Sequence, residues 1–250
     1  MRAPVRSIAA LSAILALAAC SKPADKAEAG RDDAAFHKTV VAYLVAHPGV
    51  IQEGIDAYNA KQHGQLVKTA AAAIALRHPQ IEADPRDFVA NPGGKITVVE
   101  FFDYRCPYCK ADLPALQALI AGEKDIRFIF KEYPIIPDQD GKIGVSLRAA
   151  QAALAAKRAG KYLEVHNALM AAADLDDETI KRVLVQNGID PAQAASDPKD
   201  LDQLSDVRKL AKDIHVAGTP TFIVGDTLVD TSSMPQLAAA IDQARKAAKG

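Results

Sequence analysis

Val98-Val99-Glu100-Phe101-Phe102-Asp103-Tyr104-Arg105-Cys106-Pro107-Tyr108-Cys109-Lys110 is the stretch that decides how the chain is read. Its start is apolar but for Glu100, with β-branched Val98 and Val99, and predicts a buried strand. Tyr104 and Arg105 leave that strand, and Pro107 stands where a helix would begin, since the first helical turn has no use for the missing N–H. Cys106 then falls at the N-cap and Cys109 one turn on, within disulfide reach. Backbone N–H groups and the positive end of the helix dipole face the Cys106 sulfur. Both favour thiolate, so a cysteine placed this way titrates in the range of about 3.5 to 7.5. A thiolate attacks disulfides, and Cys109 stands ready to resolve the mixed disulfide. A structural zinc site wants four ligands, and there is no second cysteine pair. A purely structural disulfide closing so short a loop would stabilise little. Two thiolates can also hold a soft ion such as Cu(I), which keeps a copper-binding metallochaperone open as the alternative to thiol–disulfide exchange.

The chain has 250 residues, a formal net charge of −1, 49% hydrophobic residues and no tryptophan. That apolar content is globular, and the near-neutral balance gives no reason to expect nucleic acid. Residues 1–19 read as a targeting segment. Arg2 and Arg6 precede an apolar, small-residue run from Ile8 to Ala19 that is too short to span a bilayer comfortably. Leu17-Ala18-Ala19-Cys20 resembles a bacterial lipobox, in which the cysteine becomes the lipid-carrying N-terminus; ordinary cleavage after Ala18 is the alternative. Lipidation of Cys20 accounts for the odd third cysteine and leaves Cys106 and Cys109 as a lone pair in an oxidising compartment. Residues 20–35 are small, charged and aperiodic, as in a flexible tether.

Residues 36–83 follow a helical pattern that breaks at His47-Pro48-Gly49. Phe36, Val40, Tyr43 and Leu44 mark one apolar face, and Ile51, Ile55 and Tyr58, then Leu66, Ala70 and Ile74, mark the next. So narrow a stripe must be covered, either by the rest of the protein or by self-association. His37, His47, His63 and His78 lie at no metal-ligand spacing and read as surface or capping residues.

Residues 84–250 read as the main domain, entered at Asp84-Pro85. Phe88 to Ala90 predicts a short strand, Asn91-Pro92-Gly93-Gly94 a turn, and Ile96 onward the central strand. Pro107 to Ala121 predicts a helix interrupted by Pro114. Ile126 to Tyr133 predicts a strand parallel to the central one after a right-handed crossover. Asp138 to His215 offers four helical runs, Val145 to Ala159, Tyr162 to Ala172, Asp177 to Asn187 and Leu201 to Ile214, with Asp176 or Asp177 as a cap. His166 reads as packed within its helix, Asp103 as an ordinary turn residue. Pro220 precedes a strand from Thr221, Gly225-Asp226 makes a hairpin turn to Leu228-Val229, and Met234 to Lys249 predicts the last helix.

Glu-Phe-Phe-Asp-Tyr-Arg-Cys-Pro-Tyr-Cys-Lys (100–110), taken with Gly218-Thr219-Pro220-Thr221-Phe222, resembles the DsbA-like branch of the thioredoxin superfamily, and within it the ScsC- and Com1-like proteins. The resemblance runs from about Phe36 to the C-terminus. It implies an α/β thioredoxin-like fold with a helical insertion at about 138–215, preceded by an α-helical N-terminal extension used for homo-oligomers. It implies a protein disulfide oxidoreductase or isomerase, needing no cofactor, that acts on unfolded or misfolded exported proteins with a membrane redox partner. That would place the chain on the periplasmic side of a bacterial cell envelope, lipid-anchored to a membrane. The residues implied are nucleophilic Cys106 and resolving Cys109 (a redox disulfide when oxidised), with Pro107 and Tyr108 tuning the potential. Thr219 and a cis Pro220 would receive the substrate, the Thr219 backbone pairing with an extended segment. The acid six residues before the first cysteine, here Glu100, would exchange a proton with Cys109; a strand glutamate paired with Lys131 is the alternative. Strongly oxidising DsbA proteins carry His where Tyr108 stands, which implies a milder oxidant here. A non-enzymatic envelope lipoprotein on the same scaffold is a third reading.

Overall fold

The computed structural model describes residues 34–194, 197–229 and 234–249. The expected signal segment, Cys20 and most of the expected tether lie outside the described residues. Two compact units divide the chain, one through Ala57 and one from Tyr58. In the first, helix α1 (Ala34–Ala46) gives way at Pro48 to the start of helix α2 (Gly49–Ala75). Phe36, Tyr43, Val45, Ile51 and Ile55 are all exposed.

The second unit continues through the rest of α2, then α3 (His78–Glu82), β1 (Phe88–Ala90), β2 (Ile96–Phe102), α4 (Pro107–Gly122) and β3 (Ile126–Glu132). Helices α5 (Gly144–Arg158), α6 (Tyr162–Ala171), α7 (Asp177–Gln186), α8 (Pro191–Ala194) and α9 (Pro198–Asp213) follow, then β4 (Thr221–Val224), β5 (Thr227–Val229) and α10 (Met234–Ala247). The strands form one mixed sheet in the order β1-β3-β2-β4-β5. β2 and β3 are parallel, as the crossover required, and the other pairings are antiparallel. This is the expected α/β arrangement, with the helical insertion between β3 and β4.

Two short helices, α3 and α8, were not anticipated, and α9 starts at Pro198 rather than Leu201. Pro198 reads as a breaker in the sequence, yet it occupies the first helical turn behind Asp197, whose side chain accepts from the Lys199 N–H. Asp176 caps α7 as expected, through the Thr179 N–H.

Strand alternation sends β2 side chains to two cores. Val98 and Phe102 join Phe128, Phe130, Phe222 and helices α4 to α7 and α10 on one face. Val99 and Phe101 join Ile129, Ile223, the end of α2, α3 and α9 on the other. The parallel register sets Glu100 beside Phe130, and Phe101 beside Lys131. Lys131 therefore points to the face away from Glu100, and the expected Glu100–Lys131 pair does not form. Lys131 is instead buried in an ion pair with Asp87, its amine also donating to the Gln80 carbonyl at 2.7 Å. Burial is the main reason Asp87 is pushed up to about 6, with the Lys131 charge opposing it.

Lys131→Met leaves Asp87 in a site that water does not reach. Urea denaturation should show a loss of about 3–5 kcal/mol, and a smaller loss when Asp87→Leu accompanies it.

Candidate active site

β2 ends at Phe102, and the next four residues carry the chain to the start of α4. Cys106 is the N-cap, with extended backbone (φ −70°, ψ 118°), and Pro107 opens the helix. Asp103, taken from the sequence for an ordinary turn residue, organises this loop. It is buried, and Oδ1 accepts from the Arg105 N–H (2.8 Å) and the Ser146 hydroxyl (2.9 Å). Its Oδ2 accepts from the Ile135 and Ile136 N–H groups (2.7 and 2.9 Å). One carboxylate thus ties the cysteine loop to the segment after β3 and to α5, which corrects the sequence reading.

Beneath the loop lies a second polar anchor. Glu132 Oε1 accepts from the Tyr104 hydroxyl (3.1 Å) and the Tyr162 hydroxyl (2.8 Å), and His166 Nδ1 lies 3.1 Å from the Tyr104 oxygen. Burial holds Glu132 well above the usual carboxylate range and drives His166 down to about 3, so His166 is neutral at ordinary pH. His166 is the packed helical histidine that the sequence suggested. Lys110 donates to the Met170 and Ala172 carbonyls (3.2 and 2.6 Å) at the end of α6, a good place for a cation.

Across from Cys106, the Thr219–Pro220 peptide is cis, as the resemblance implied. The Cys106 thiol donates to the Thr219 carbonyl at 3.1 Å. The structure therefore brings Cys106, Cys109, Thr219 and Pro220 together in one place. Both cysteines are buried free thiols, while Tyr108 between them is exposed.

The two sulfurs have opposite electrostatics. Cys106 is pulled down to about 6, chiefly by a hydrogen bond from the Cys109 thiol, with help from the Thr219 side chain and the Cys109 and Tyr108 N–H groups. Burial opposes that shift and loses. Cys109 is pushed far up, first by burial, then by its bond to Cys106 and the Glu100 charge. One sulfur is thus poised to attack and the other holds its proton.

Glu100 lies on the same sheet face as Phe102, its register neighbours being Phe130 and Phe222. Its Oε2 has no hydrogen-bond partner, and burial followed by the charges of Asp112 and Cys106 pushes it up to about 8. Asp112, on α4, is an acid the sequence reading missed. It falls three residues after Cys109 and one before Leu113, so helical periodicity alone turns it inward. Among the described residues no cluster of three or more His, Cys, Asp or Glu is disposed to hold a metal ion.

Comparison with known proteins agrees with this geometry. Residues 97–242 match the model of the DSBA-like thioredoxin domain. The chain belongs to the DsbA-like thioredoxin family. Its domain is that of a thiol–disulfide oxidoreductase. A thioredoxin-like oxidoreductase from Silicibacter pomeroyi is 36% identical and superposes with a TM-score of 0.61 over 67% of this chain and 97% of that one. ScsC from Proteus mirabilis, in a transitional conformation, is 25% identical, with a TM-score of 0.62 over 84% of this chain and 94% of that one. A curated relative, the Na(+)/H(+) antiporter NhaA 3 of Salinispora tropica, is 30% identical over 58% of this chain, which spans only 22% of that protein's length.

Because Glu100 holds its proton to about 8 folded and to about 4.5 unfolded, its titration leaves stability unchanged below about pH 4.5 and lowers it progressively as pH rises to about 8. Glu100→Gln removes that dependence. Denaturation midpoints of the reduced proteins should diverge across this window, the variant becoming the more stable, and parallel curves would contradict the burial argument.

Proposed function

We propose that this protein is a lipid-anchored thiol–disulfide oxidoreductase of a bacterial cell envelope that forms or reshuffles disulfides in exported proteins. The observation that carries the reading is the Cys106 sulfur, held toward thiolate at a helix start and 3.1 Å from the carbonyl that precedes the cis proline. Cys106 attacks a substrate disulfide, or receives the attack of a substrate thiol when oxidised. Cys109 completes the exchange. Glu100 handles the Cys109 proton. Thr219 and Pro220 present the substrate chain, whose backbone would take over the Thr219 carbonyl that the Cys106 thiol now occupies. Pro107 and the exposed Tyr108 set the potential, and no cofactor is needed.

The lipobox-like Leu17-Ala18-Ala19-Cys20 supports tethering through Cys20 after removal of residues 1–19. Among the described residues no helix is long and apolar enough to cross a membrane. The exposed apolar side chains of α1 and early α2 support a homo-oligomer built on the extension of residues 36–83, with residues 84–250 carrying the chemistry. Several active sites in one particle favour reshuffling over simple oxidation. A membrane redox partner would restore the working state of the cysteine pair. The family match favours exchange over Cu(I) retention by the same two thiolates.

The potential should fall between the two ends of the superfamily scale, about −270 and −120 mV, and milder than the oxidising end because Tyr108 adds no cation beside the thiolate. Equilibration with glutathione measures it, and Tyr108→His should shift it toward oxidation. Cys106→Ser should abolish reactivation of scrambled ribonuclease, while Cys109→Ser should trap substrate as a mixed disulfide. Full activity in Cys106→Ser would end this reading.

A further inference from the structure

Glu100 meets a difficulty in the role given to it above. A carboxyl that keeps its proton to about pH 8 is already protonated at neutral pH and cannot take another from Cys109. A second acid lies in the same site. Asp112 is only 7% exposed, on the buried side of α4 with Cys109, Leu113 and Leu116. Its Oδ2 is buried with no hydrogen-bond partner, as is Glu100 Oε2. Two orphaned carboxyl oxygens beside one cysteine pair are a costly arrangement that packing does not explain.

Glu132, on the same sheet face, also has an unpartnered Oε2, but its Oε1 is held by the Tyr104 and Tyr162 hydroxyls and its charge acts on neither Glu100 nor Asp112. β2 contributes Glu100, and the start of α4 contributes Cys106 and Cys109. Lys110 is engaged by the carbonyls at the end of α6, and Arg105 by Asp138 and the Pro137 carbonyl. Asp103 has both oxygens filled by Arg105, Ser146, Ile135 and Ile136. The Thr219 carbonyl already accepts from Cys106. After burial, the Asp112 charge is the largest influence on Glu100, and the Cys106 charge acts on Asp112 as well.

We propose that Asp112 and Glu100 form one acid pair that shares a single proton in the reduced protein, and that the vacancy on this pair receives the proton of Cys109. The inference rests on the exchange reading above. Asp112 acts through Glu100 and touches no substrate atom. Glu100 passes its proton to Asp112, directly or through one water, as it accepts that of Cys109. The Cys109 thiolate then attacks Cys106 in the mixed disulfide. The bond between Cys106 and the substrate sulfur breaks, the Cys106–Cys109 bond forms, and the substrate leaves as thiolate carrying the electron pair. The substrate disulfide is reduced by two electrons and the protein dithiol is oxidised by two. The reverse sequence oxidises a substrate dithiol and returns the proton to Cys109.

The Asp112 charge makes ionisation of Glu100 harder, so the pair keeps one proton across a wide pH range while ionised Asp112 supplies the vacancy. The test is single-turnover release of a fluorescent cysteine peptide from its mixed disulfide on Cys106, followed against pH. The wild type should release peptide well into the mildly acidic range. Asp112→Asn should lose that acid limb, with release about tenfold slower or more there, and Asp112→Glu should restore it. In a Glu100→Gln background, Asp112→Asn should cost far less. Infrared difference spectroscopy of the reduced wild type against Glu100→Gln adds a readout: a protonated-carboxyl band at neutral pH, missing from the variant, that fades as pH rises through about 8. In Asp112→Asn that band should titrate at lower pH. An unchanged acid limb in Asp112→Asn, additive effects of the two substitutions, or no protonated-carboxyl band would overturn the pair and leave the exchange reading standing. A wild type that never releases peptide would overturn both.

Discussion

A thiolate at a helix start has to be stabilised by hydrogen bonds strongly enough to outweigh burial, and the rest of this molecule is arranged around that contest. At Cys106 the donors win. The Cys109 thiol, the Thr219 side chain and two helix N–H groups face the sulfur, and their joint pull exceeds the cost of removing charge from water. Three residues later burial wins, and Cys109 keeps its proton. The asymmetry does not come from residue type, since both are cysteines in one turn of one helix. It comes from position, the N-cap against the interior of the first turn. Mixed-disulfide chemistry needs such a difference, because one sulfur must be reactive while the other waits.

Holding Cys106 at that N-cap requires a loop that does not move. Asp103, Glu132 and Lys110 achieve this by different means. Asp103 holds the loop through four donors that fill its oxygens, three of them backbone N–H groups. Glu132, raised by its burial, and neutral His166 bind Tyr104 just before the loop turns. Lys110 spends its charge on the carbonyl end of α6. The loop is therefore anchored on both sides without any of these groups adding an unscreened charge next to the thiolate. The two groups that do add charge there are Glu100 and Asp112, which argues for a chemical rather than a structural reason for their presence.

The sequence made the chemistry easier to read than the scaffolding. Cys106, Pro107, Cys109 and Pro220 carry local signals, a helix start and a strand start, that a linear reading can use. β1, β3 and β4 were legible because their apolar runs end at Asn91, Pro134 and Gly225. What a linear reading could not supply was facing. Lys131 looked like a partner for Glu100 because both belong to adjacent strands, but the register is offset by one residue and a one-residue offset reverses the face. Asp103 looked like a turn residue because nothing in its neighbours shows that residues 135, 136 and 146 fold back onto it. Helices α3 and α8 span five and four residues, too short for periodicity to register. Asp112 differs from these. Its spacing from Cys109 and Leu116 already turned it inward, and it escaped notice because acidic residues are expected at a helix surface.

Linkage ties the acids to the redox state of the cysteines. The Cys106 charge helps to raise both Glu100 and Asp112. Reciprocity requires that the two carboxyls, when ionised, disfavour the thiolate by the same amount. Formation of the Cys106–Cys109 disulfide removes that charge, so the carboxyls become easier to ionise and a proton is released with oxidation. The balance between dithiol and disulfide in this site is therefore a function of pH through groups that never touch the substrate. A site of this kind places part of its driving force in buried acids, where exposed charge and salt have little effect on it.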